Sequence, residues 1–236
     1  MSYKLLAKPN SNPKIAKGNT KLSDYITTIM HLRPISTKIC PYQDIAKCKA
    51  ACLNTAGLGG VYPSIQKTRQ AKTDLFLNDR DAFMTKLYNE IEKFVRFCEN
   101  KNKKAALRLN GTSDIQWETI EHEGVTVFEK FPQVQFYDYT KIPTRKISHI
   151  PNYHLTWSYS EANQKYSKLF QKLAYNIAVV FKGDLPAVFK GLRVINGDKT
   201  DMRFLDSNKK VVVGLKAKGK AKTDTSGFVI NERRAT

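Results

Sequence analysis

The sequence predicts an α/β protein folded as a complete or partial βα barrel, and three observations lead to this prediction. Short apolar runs of strand length alternate with helical patterns along the chain. Several of these runs are almost continuously apolar, which is typical of parallel strands covered on both faces. Polar residues follow the downstream ends of four runs, and in barrels and open parallel sheets that end carries the site.

Length and composition indicate a globular chain with one main domain. The protein has 236 residues, of which 41% are hydrophobic and 26% charged. We expect residues 1–22 to form a basic, polar arm and residues 23–236 to form a single α/β cluster-binding domain. No apolar run approaches the roughly 20 residues of a transmembrane helix, and the first residues lack a secretory pattern. A reducing, cytosolic compartment fits the four cysteines best.

The clearest helix begins near Asp79. Its apolar residues recur every three or four positions and form one buried stripe: Phe83, Leu87, Ile91, Phe94, Val95 and Cys98. A second amphipathic helix is predicted between residues 159 and 176. The predicted strands are 105–110, 134–138, 154–159, 177–181, 192–196 and 211–215.

The polar residues at the strand ends are candidates for lining a pocket. Carboxyl ends of parallel strands meet at one edge of a sheet, so these side chains would share a rim. The alternative is that they are ordinary polar turns. The candidates are Asn110, Asp114, Asp138, Tyr139, Ser158, Glu161 and Asp198.

The charge balance indicates a polyanionic partner. Forty Lys and Arg against 21 Asp and Glu give a net charge of +19, and residues 1–22 and 209–222 contain no acid. Such an excess favours contact with the phosphates of DNA or RNA, without reading base edges. The alternative is a solvated basic face that keeps the protein soluble. The nucleic-acid-binding candidates are Lys67, Arg69, Lys72, Lys216, Lys218 and Lys220.

Three cysteines form the most specific motif. Cys40, Cys48 and Cys52 have the spacing C-x7-C-x3-C and follow an apolar segment at 35–39. We expect Cys48 and Cys52 to lie one helical turn apart on one face, and a loop can fold Cys40 over them. Three converging thiolates suit an iron–sulfur cluster, with [4Fe-4S] favoured, and leave one iron open to substrate, water or a distant residue.

Two other interpretations of these cysteines remain open. Structural zinc takes four ligands, and His31 would be the nearest fourth. The second interpretation is that the three cysteines bind no metal. Cys98 lies on the apolar stripe of its helix and is expected to be a buried packing residue rather than a ligand. The glycine-rich residues 53–60 either wrap backbone amides around cluster sulfides or a phosphate, or form a flexible turn.

The chain resembles a family of poorly characterised tailed-phage proteins labelled gene-product-eighty-eight-like. The resemblance covers about residues 30–230. It rests on the joint occurrence of the three cysteines with several segments: CLNTAG at 52–57, QKTRQAKT at 66–73, RLNGTSDI at 108–115, VQFYDYTK at 134–141, NYHLT at 152–156, DMRFLD at 201–206 and GLKAKGK at 214–220. It implies a phage origin and, with it, action in the cytoplasm of the infected bacterial host.

A weaker similarity is to radical S-adenosylmethionine enzymes, which also place three cysteines after an early strand of a βα fold. The spacing departs from their usual C-x3-C-x2-C, and no glycine-rich methionine-binding strand motif is found. The similarity therefore implies the fold but leaves S-adenosylmethionine doubtful as a cofactor. Three functions follow as alternatives: an iron–sulfur protein acting on or near nucleic acid, a cluster-dependent enzyme, and a zinc-stabilised nucleic-acid-binding module.

Overall fold

The structure is a computed structural model, and it describes residues 3–160, 162, 176–206 and 209–231. It is a mixed α/β protein built around a mostly parallel sheet. The strands are β1 Tyr25–Ile29, β2 Lys104–Arg108, β3 Glu121–His122, β4 Val125–Thr126, β5 Gln135–Thr140, β6 Tyr153–Ser158, β7 Ile177–Phe181, β8 Val188–Phe189, β9 Leu192–Asn196 and β10 Val212–Lys216. The helices are α1 Pro13–Ala16, α2 Leu58–Val61, α3 Pro63–Asn78, α4 Arg80–Glu99 and α5 Val127–Lys130.

Eight strands form the main sheet in the order β1-β2-β5-β6-β7-β10-β9-β8. Every neighbouring pair is parallel except β8 with β9, and β3 and β4 form a separate antiparallel hairpin. In the described part of the chain, β1 and β8 stand at opposite ends of this order. The α/β class is therefore confirmed, whereas closure into a barrel is not observed.

Helix α4 covers the β1-β2-β5-β6 half of the sheet. Asp79 caps its first turn, because the Asp79 carboxylate accepts a hydrogen bond of 3.0 Å from the amide of Ala82. The predicted apolar stripe is buried, including Cys98, and packs with β2, β5 and β6 in one core cluster. A second cluster lies around β6, β7 and β10 and includes the fully buried Trp157 and Phe181.

The connections between strands are less regular than the predicted alternation. The link from β5 to β6, residues 141–152, contains no helix. The apolar segment 35–39 forms bends and turns rather than a strand, and the early strand is β1 instead. The helix predicted at 159–176 falls almost entirely outside the described residues.

Residues 3–22 lie against the domain. The amide of Ala7 donates to the carbonyl of Ile29 in β1 at 2.9 Å, and Leu6 forms an antiparallel bridge with Met30. The amide of Leu5 donates to the carboxylate of Glu90 on α4, and Leu5 and Ile15 are fully buried. This basic segment thus contributes apolar side chains to the core beside β1.

Candidate functional site

A cavity of about 940 Å³ lies at the carboxyl edge of the parallel strands. Because neighbouring strands run in the same direction, the residues that follow β1, β2, β5, β6, β9 and β10 reach the same edge. Cys40, Cys48 and Cys52 line this cavity together with strand-end residues. The cavity is therefore where the cysteine motif and the polar strand ends meet.

The cysteine segment is a series of turns. Residues 41–47 form consecutive turns, and Lys47 has a positive φ of 53°. The expectation that Cys48 and Cys52 lie on one helix is therefore wrong. The amide of Cys48 donates to the carbonyl of Gln43, and backbone turns rather than a helical repeat bring Cys48 to the cavity.

Cys52 caps the 3-10 turn Leu53–Thr55. The amide of Asn54 donates to Cys52 Sγ at 3.4 Å, and the amide of Thr55 donates to the Cys52 carbonyl at 2.9 Å. The side chain of Asn54 is fixed in turn by Gln66 and Arg69 of α3. Helix α3 thus holds the third cysteine in place through polar side chains.

Two glycines allow the chain after Cys52 to fold closely. Gly57 has φ 58° and ψ −149°, a conformation that is essentially restricted to glycine. A Cβ on Gly60 would lie 2.1 Å from the carbonyl oxygen of Thr55. The backbone of the segment 53–60 therefore requires glycine at positions 57 and 60.

The three thiols are free and interact electrostatically. Burial raises the pKa of all three, and for Cys40 the carboxylate of Asp114 and the other two thiols raise it further. Lys141 opposes this effect at Cys48, as Arg69 does at Cys52. A group that offsets the desolvation of three thiolates is therefore needed to ionise them together.

Lys141 interacts electrostatically with all three thiols. Burial lowers its pKa, while Cys48, Asp114, Cys52 and Cys40 each raise it. Its Nζ donates to Ser158 Oγ at 2.8 Å at the end of β6. This lysine follows β5 directly and was not among the residues selected from the sequence, since a lysine after a strand resembles any solvated turn residue.

A buried ionic network anchors the first cysteine. Asp114 accepts hydrogen bonds from Thr140 Oγ1 and the amide of Lys141, both at 2.8 Å, and its own amide donates to the Ile39 carbonyl beside Cys40. Arg145, which is 4% exposed, lies 3.5 Å from Asp114. Burial raises the pKa of Asp114, with Arg145 opposing that effect. Arg145 could not be selected from the sequence, because only the fold brings it next to Asp114.

The seven pocket candidates are placed differently. Asn110, Asp114, Tyr139, Ser158 and Asp198 line the cavity. Asp138 is fully buried and is not part of the cavity wall; it accepts a 2.7 Å hydrogen bond from the amide of Asn110 and a 3.0 Å one from the Tyr153 hydroxyl. Burial raises the pKa of Asp138 to about 7. Glu161 lies outside the described residues.

Four of the six basic candidates line the same cavity: Arg69, Lys72, Lys216 and Lys218. The Nζ of Lys72 donates to the carbonyl of Leu5, so this side chain also ties the amino-terminal segment to α3. Lys67 and Lys220 are exposed and lie outside the cavity wall. Two of the six basic candidates therefore lie outside the cavity wall.

Cys98 lies outside the cavity wall, whereas His31 is part of it. Cys98 is 1% exposed inside the α4 core cluster. His31 lines the cavity, and its Nε2 lies 3.0 Å from Asn12 Nδ2. Within the described ranges, no group of three or more His, Cys, Asp or Glu side chains is placed to hold a single metal ion. None of the described helices is long and apolar enough to cross a bilayer.

The fold and the site define a class of protein: an α/β protein with three cysteines at the carboxyl edge of a parallel sheet. The family model described as Gene product 88 matches residues 4–232, and the chain belongs to that family. No curated protein and no solved structure matches the sequence.

Proposed function

We propose that this phage-family protein binds a [4Fe-4S] cluster through Cys40, Cys48 and Cys52. The observation that supports this most is that three free thiols from one short segment line the same cavity, while Cys98 lies in the core. When bound, such a cluster supplies one-electron redox chemistry or an open iron that holds a ligand. A partial βα barrel and action in the cytoplasm of the infected cell belong to the same proposal.

The arrangement of the thiols favours a cluster over a single zinc ion. Zinc binds each sulfur at about 2.3 Å, so its ligands must converge on one point. Among the described residues no three potential ligands converge in that way. In an iron–sulfur cluster, each cysteine binds a different iron. The three thiols therefore need to line one cavity but need not meet at a single metal ion.

Two cations oppose the penalty that burial places on the thiolate form of Cys48 and Cys52. Metal binding requires deprotonated cysteine, which burial disfavours here. Lys141 lowers the pKa of Cys48 and Cys52, and Arg69 lowers that of Cys52. The amide of Asn54 adds a hydrogen bond to Cys52 Sγ. These groups suit a buried anionic centre.

A second candidate function is a cluster-dependent enzyme. A purely structural cluster needs little open space, whereas this cavity of about 940 Å³ falls in the range of small-molecule sites, about 300–1,000 Å³. Asn110 and Ser158 place hydrogen-bonding groups in its wall. Titrating the reduced, reconstituted protein with S-adenosylmethionine tests this candidate. A shifted electron paramagnetic resonance signal with cofactor cleavage would establish an enzyme of that type.

The experiment for the cluster is anaerobic purification followed by iron, sulfide and zinc analysis. We expect iron and sulfide in about equal amounts and a visible absorption band. Cys40→Ser, Cys48→Ser and Cys52→Ser should each lose most of the iron. Cys98→Ser is the matched control and should keep it. Full iron retention in Cys48→Ser, or zinc in place of iron in the wild type, would contradict the proposal.

A further inference from the structure

Exposed apolar side chains are concentrated in the part of the chain that carries the cysteines. Ten large apolar side chains of the described chain are exposed, and six of them lie between residues 35 and 62. Single exposed apolar residues are ordinary, whereas a group of neighbours marks an interaction surface. Four of the six follow the third cysteine and form what we call the apolar patch: Leu53 (47% exposed), Leu58 (55%), Val61 (70%) and Tyr62 (53%).

The four side chains of the apolar patch are neighbours in the fold. The 3-10 turn that begins at Leu53 packs against α2, and α2 packs against α3. Leu53 and Leu58 line the cavity that the thiols also line. Val61 and Tyr62 line a groove of about 830 Å³. Gly59 belongs to the walls of both the cavity and the groove, so the apolar patch extends from one to the other.

Folding does not use the apolar side chains of α2. The buried residue of this helix is Gly59, whose carbonyl accepts a 2.6 Å hydrogen bond from Gln66 Nε2 of α3. A Cβ on Gly59 would lie 2.6 Å from Arg69 Nη1, so this guanidinium packs directly on the glycine. Polar side chains of α3 therefore hold α2 by its glycine and leave Leu58 and Val61 in solvent. Their exposure needs an explanation other than folding.

Positive charge accompanies the apolar patch. Residues 25–73 contain seven Lys and Arg and one acid, Asp44. In the groove wall, Arg33 and Lys67 lie with Val61 and Tyr62, and the carboxylate of Asp74 accepts a hydrogen bond from Gln70. Within the ranges that the structure describes, five exposed cations of this stretch form no ion pair with a carboxylate: Arg33, Lys38, Lys47, Lys49 and Lys67.

The outer face of α4 differs in both respects. Residues 79–99 contain four Lys and Arg and five Asp and Glu, so this part of the surface has balanced charge. Of the ten exposed apolar side chains, one belongs to this helix, Phe97, and Lys101 Nζ lies 5.4 Å from the centre of its ring. The combination of grouped apolar side chains and excess positive charge is therefore a property of the cysteine segment and not of every surface.

This combination fits an acidic protein better than a nucleic acid. Protein interfaces have an apolar centre and a polar rim, and opposite charges on two partners speed their encounter. Single-stranded nucleic acids instead stack their bases on aromatic side chains. Tyr62 is the single aromatic member of the apolar patch, and Leu53, Leu58 and Val61 gain nothing from phosphate contacts. Charge complementarity thus selects an acidic partner, and the aliphatic centre selects a protein.

We propose that the apolar patch docks a small acidic electron-carrier protein, with a flavin or iron–sulfur centre, that passes one electron to the cluster. The carrier is oxidised by one electron and the cluster is reduced by one, and no atom is transferred. Leu53 directly follows Cys52, so a carrier on this surface lies beside the thiols. The inference rests on the proposed function, because the cluster receives the electron, and it names the redox partner of that site.

Binding of a flavodoxin-type carrier, a small acidic flavin protein, tests the surface by calorimetry at low salt. We expect Val61→Glu to weaken binding by about tenfold or more, because it places a carboxylate in the apolar centre opposite an acidic partner. The matched control is Phe97→Glu, the same kind of change on the outer face of α4, which should leave binding unchanged. Both side chains are exposed, so both variants should keep the wild-type melting temperature. Equal losses in the two variants would overturn the proposal.

The charge around the apolar patch should act mainly on the rate of association. Lys49→Gln/Lys67→Gln should slow association several-fold at low salt and weaken its salt dependence. The control Lys93→Gln/Lys101→Gln removes the same net charge from exposed positions on and after α4. Equal slowing in both double variants would show that overall charge, and not this surface, attracts the carrier.

Rapid mixing with the reduced carrier tests the electron transfer itself. The iron-loaded wild type should be reduced by the carrier, and Val61→Glu should be reduced about tenfold or more slowly. Dithionite, a small inorganic reductant that needs no docking surface, should reduce both proteins at the same rate. Equal rates of reduction by the carrier would contradict the proposal.

The iron-free protein separates a failure of the docking surface from a failure of the cluster. Contacts from α3 hold the apolar patch, so iron-free wild type should still bind the carrier and iron-free Val61→Glu should bind it more weakly. This result would support the surface even if the purified protein contains no cluster. A carrier that binds neither form would overturn the surface. A single-stranded DNA of about 20 nucleotides that binds in its place, and loses affinity in Val61→Glu, would replace the protein partner with nucleic acid.

Discussion

Helix α4 and the segment that carries the cysteines reach their positions in opposite ways. Helix α4 buries a continuous apolar stripe, and its start is fixed by the Asp79 cap. The segment from residue 40 to residue 62 is mostly turns, and it leaves Leu53, Leu58 and Val61 exposed. Packing holds the first region, whereas hydrogen bonds from strand ends and from α3 hold the second. Core and site should therefore respond separately to mutation.

The largest expected effect is in the core. Phe83 is fully buried on α4, with its ring 5.1 Å from that of Phe76 and stacked 6.2 Å from Trp117. Phe83→Ala should lower the free energy of unfolding by about 3–5 kcal/mol, because it removes apolar contacts and leaves a cavity. Denaturant unfolding measures this, and iron per folded molecule should not change. Iron loss proportionately greater than unfolding would show that the two regions are coupled.

Arg145 is where the two regions meet. Its guanidinium pairs with Glu118 at 2.5 Å and lies 3.5 Å from Asp114, in a buried environment. Arg145→Met should cost about 3 kcal/mol, since it leaves buried carboxylates without their cation. It should also release iron faster to a chelator, because Asp114 anchors the chain beside Cys40.

The control for Arg145 is Arg96→Ala. Arg96 pairs with Glu92 at 3.5 Å on the exposed face of α4. Losing this pair should change the free energy of unfolding by less than about 0.5 kcal/mol and leave iron release unchanged. Similar destabilisation by both substitutions would mean that the buried network is no more important than a surface pair.

The core could be predicted from the sequence more fully than the site. Apolar residues recurring every three or four positions located α4, and short apolar runs located six strands of the main sheet to within one or two residues, because burial itself produces those patterns. Strands β1 and β8 were not predicted. The convergence of the strand ends could also be predicted from the sequence, since the carboxyl ends of parallel strands share one edge of the sheet. These features depend on local sequence and on the class of fold.

The geometry of the site could be predicted less well, because it depends on contacts between residues that are far apart in the sequence. The turns that replace the expected helix at Cys48 follow from Lys47 at positive φ and from the Cys48–Gln43 hydrogen bond. Asp138 follows a strand like its neighbours, yet its side chain is buried against Asn110 and Tyr153. A single sequence carries no pattern that distinguishes a rim carboxylate from a buried one.

The pH dependence of the free energy of unfolding tests whether Asp138 is buried. Its folded pKa of about 7 lies above the usual value near 3.9, so between these values the folded state keeps a proton that the unfolded state releases. The stabilising contribution of Asp138 should therefore be complete below about pH 4 and fall as pH rises to about 7, by at most about 1.4 kcal/mol per pH unit.

The measurement is the difference in unfolding free energy between wild type and Asp138→Asn across this range. Burial lowers the pKa of His154 to about 4, which gives the opposite slope, but both proteins carry His154 and its contribution cancels. The wild-type advantage should decrease steadily with rising pH. A difference that stays constant from pH 4 to pH 7 would show that Asp138 is ionised in the folded protein.

The last comparison is between two glycines. Gly57 follows the third cysteine in a conformation restricted to glycine, whereas Gly124, with φ 77°, lies in the hairpin between β3 and β4. Neither has an atom within 4 Å of an added Cβ, so alanine acts at both through the backbone alone. Each alanine should cost about 1–3 kcal/mol. Only Gly57→Ala should speed iron release to a chelator, because it displaces the turn that Cys52 caps. Equal release rates in the two variants would mean that the backbone after Cys52 does not hold the site.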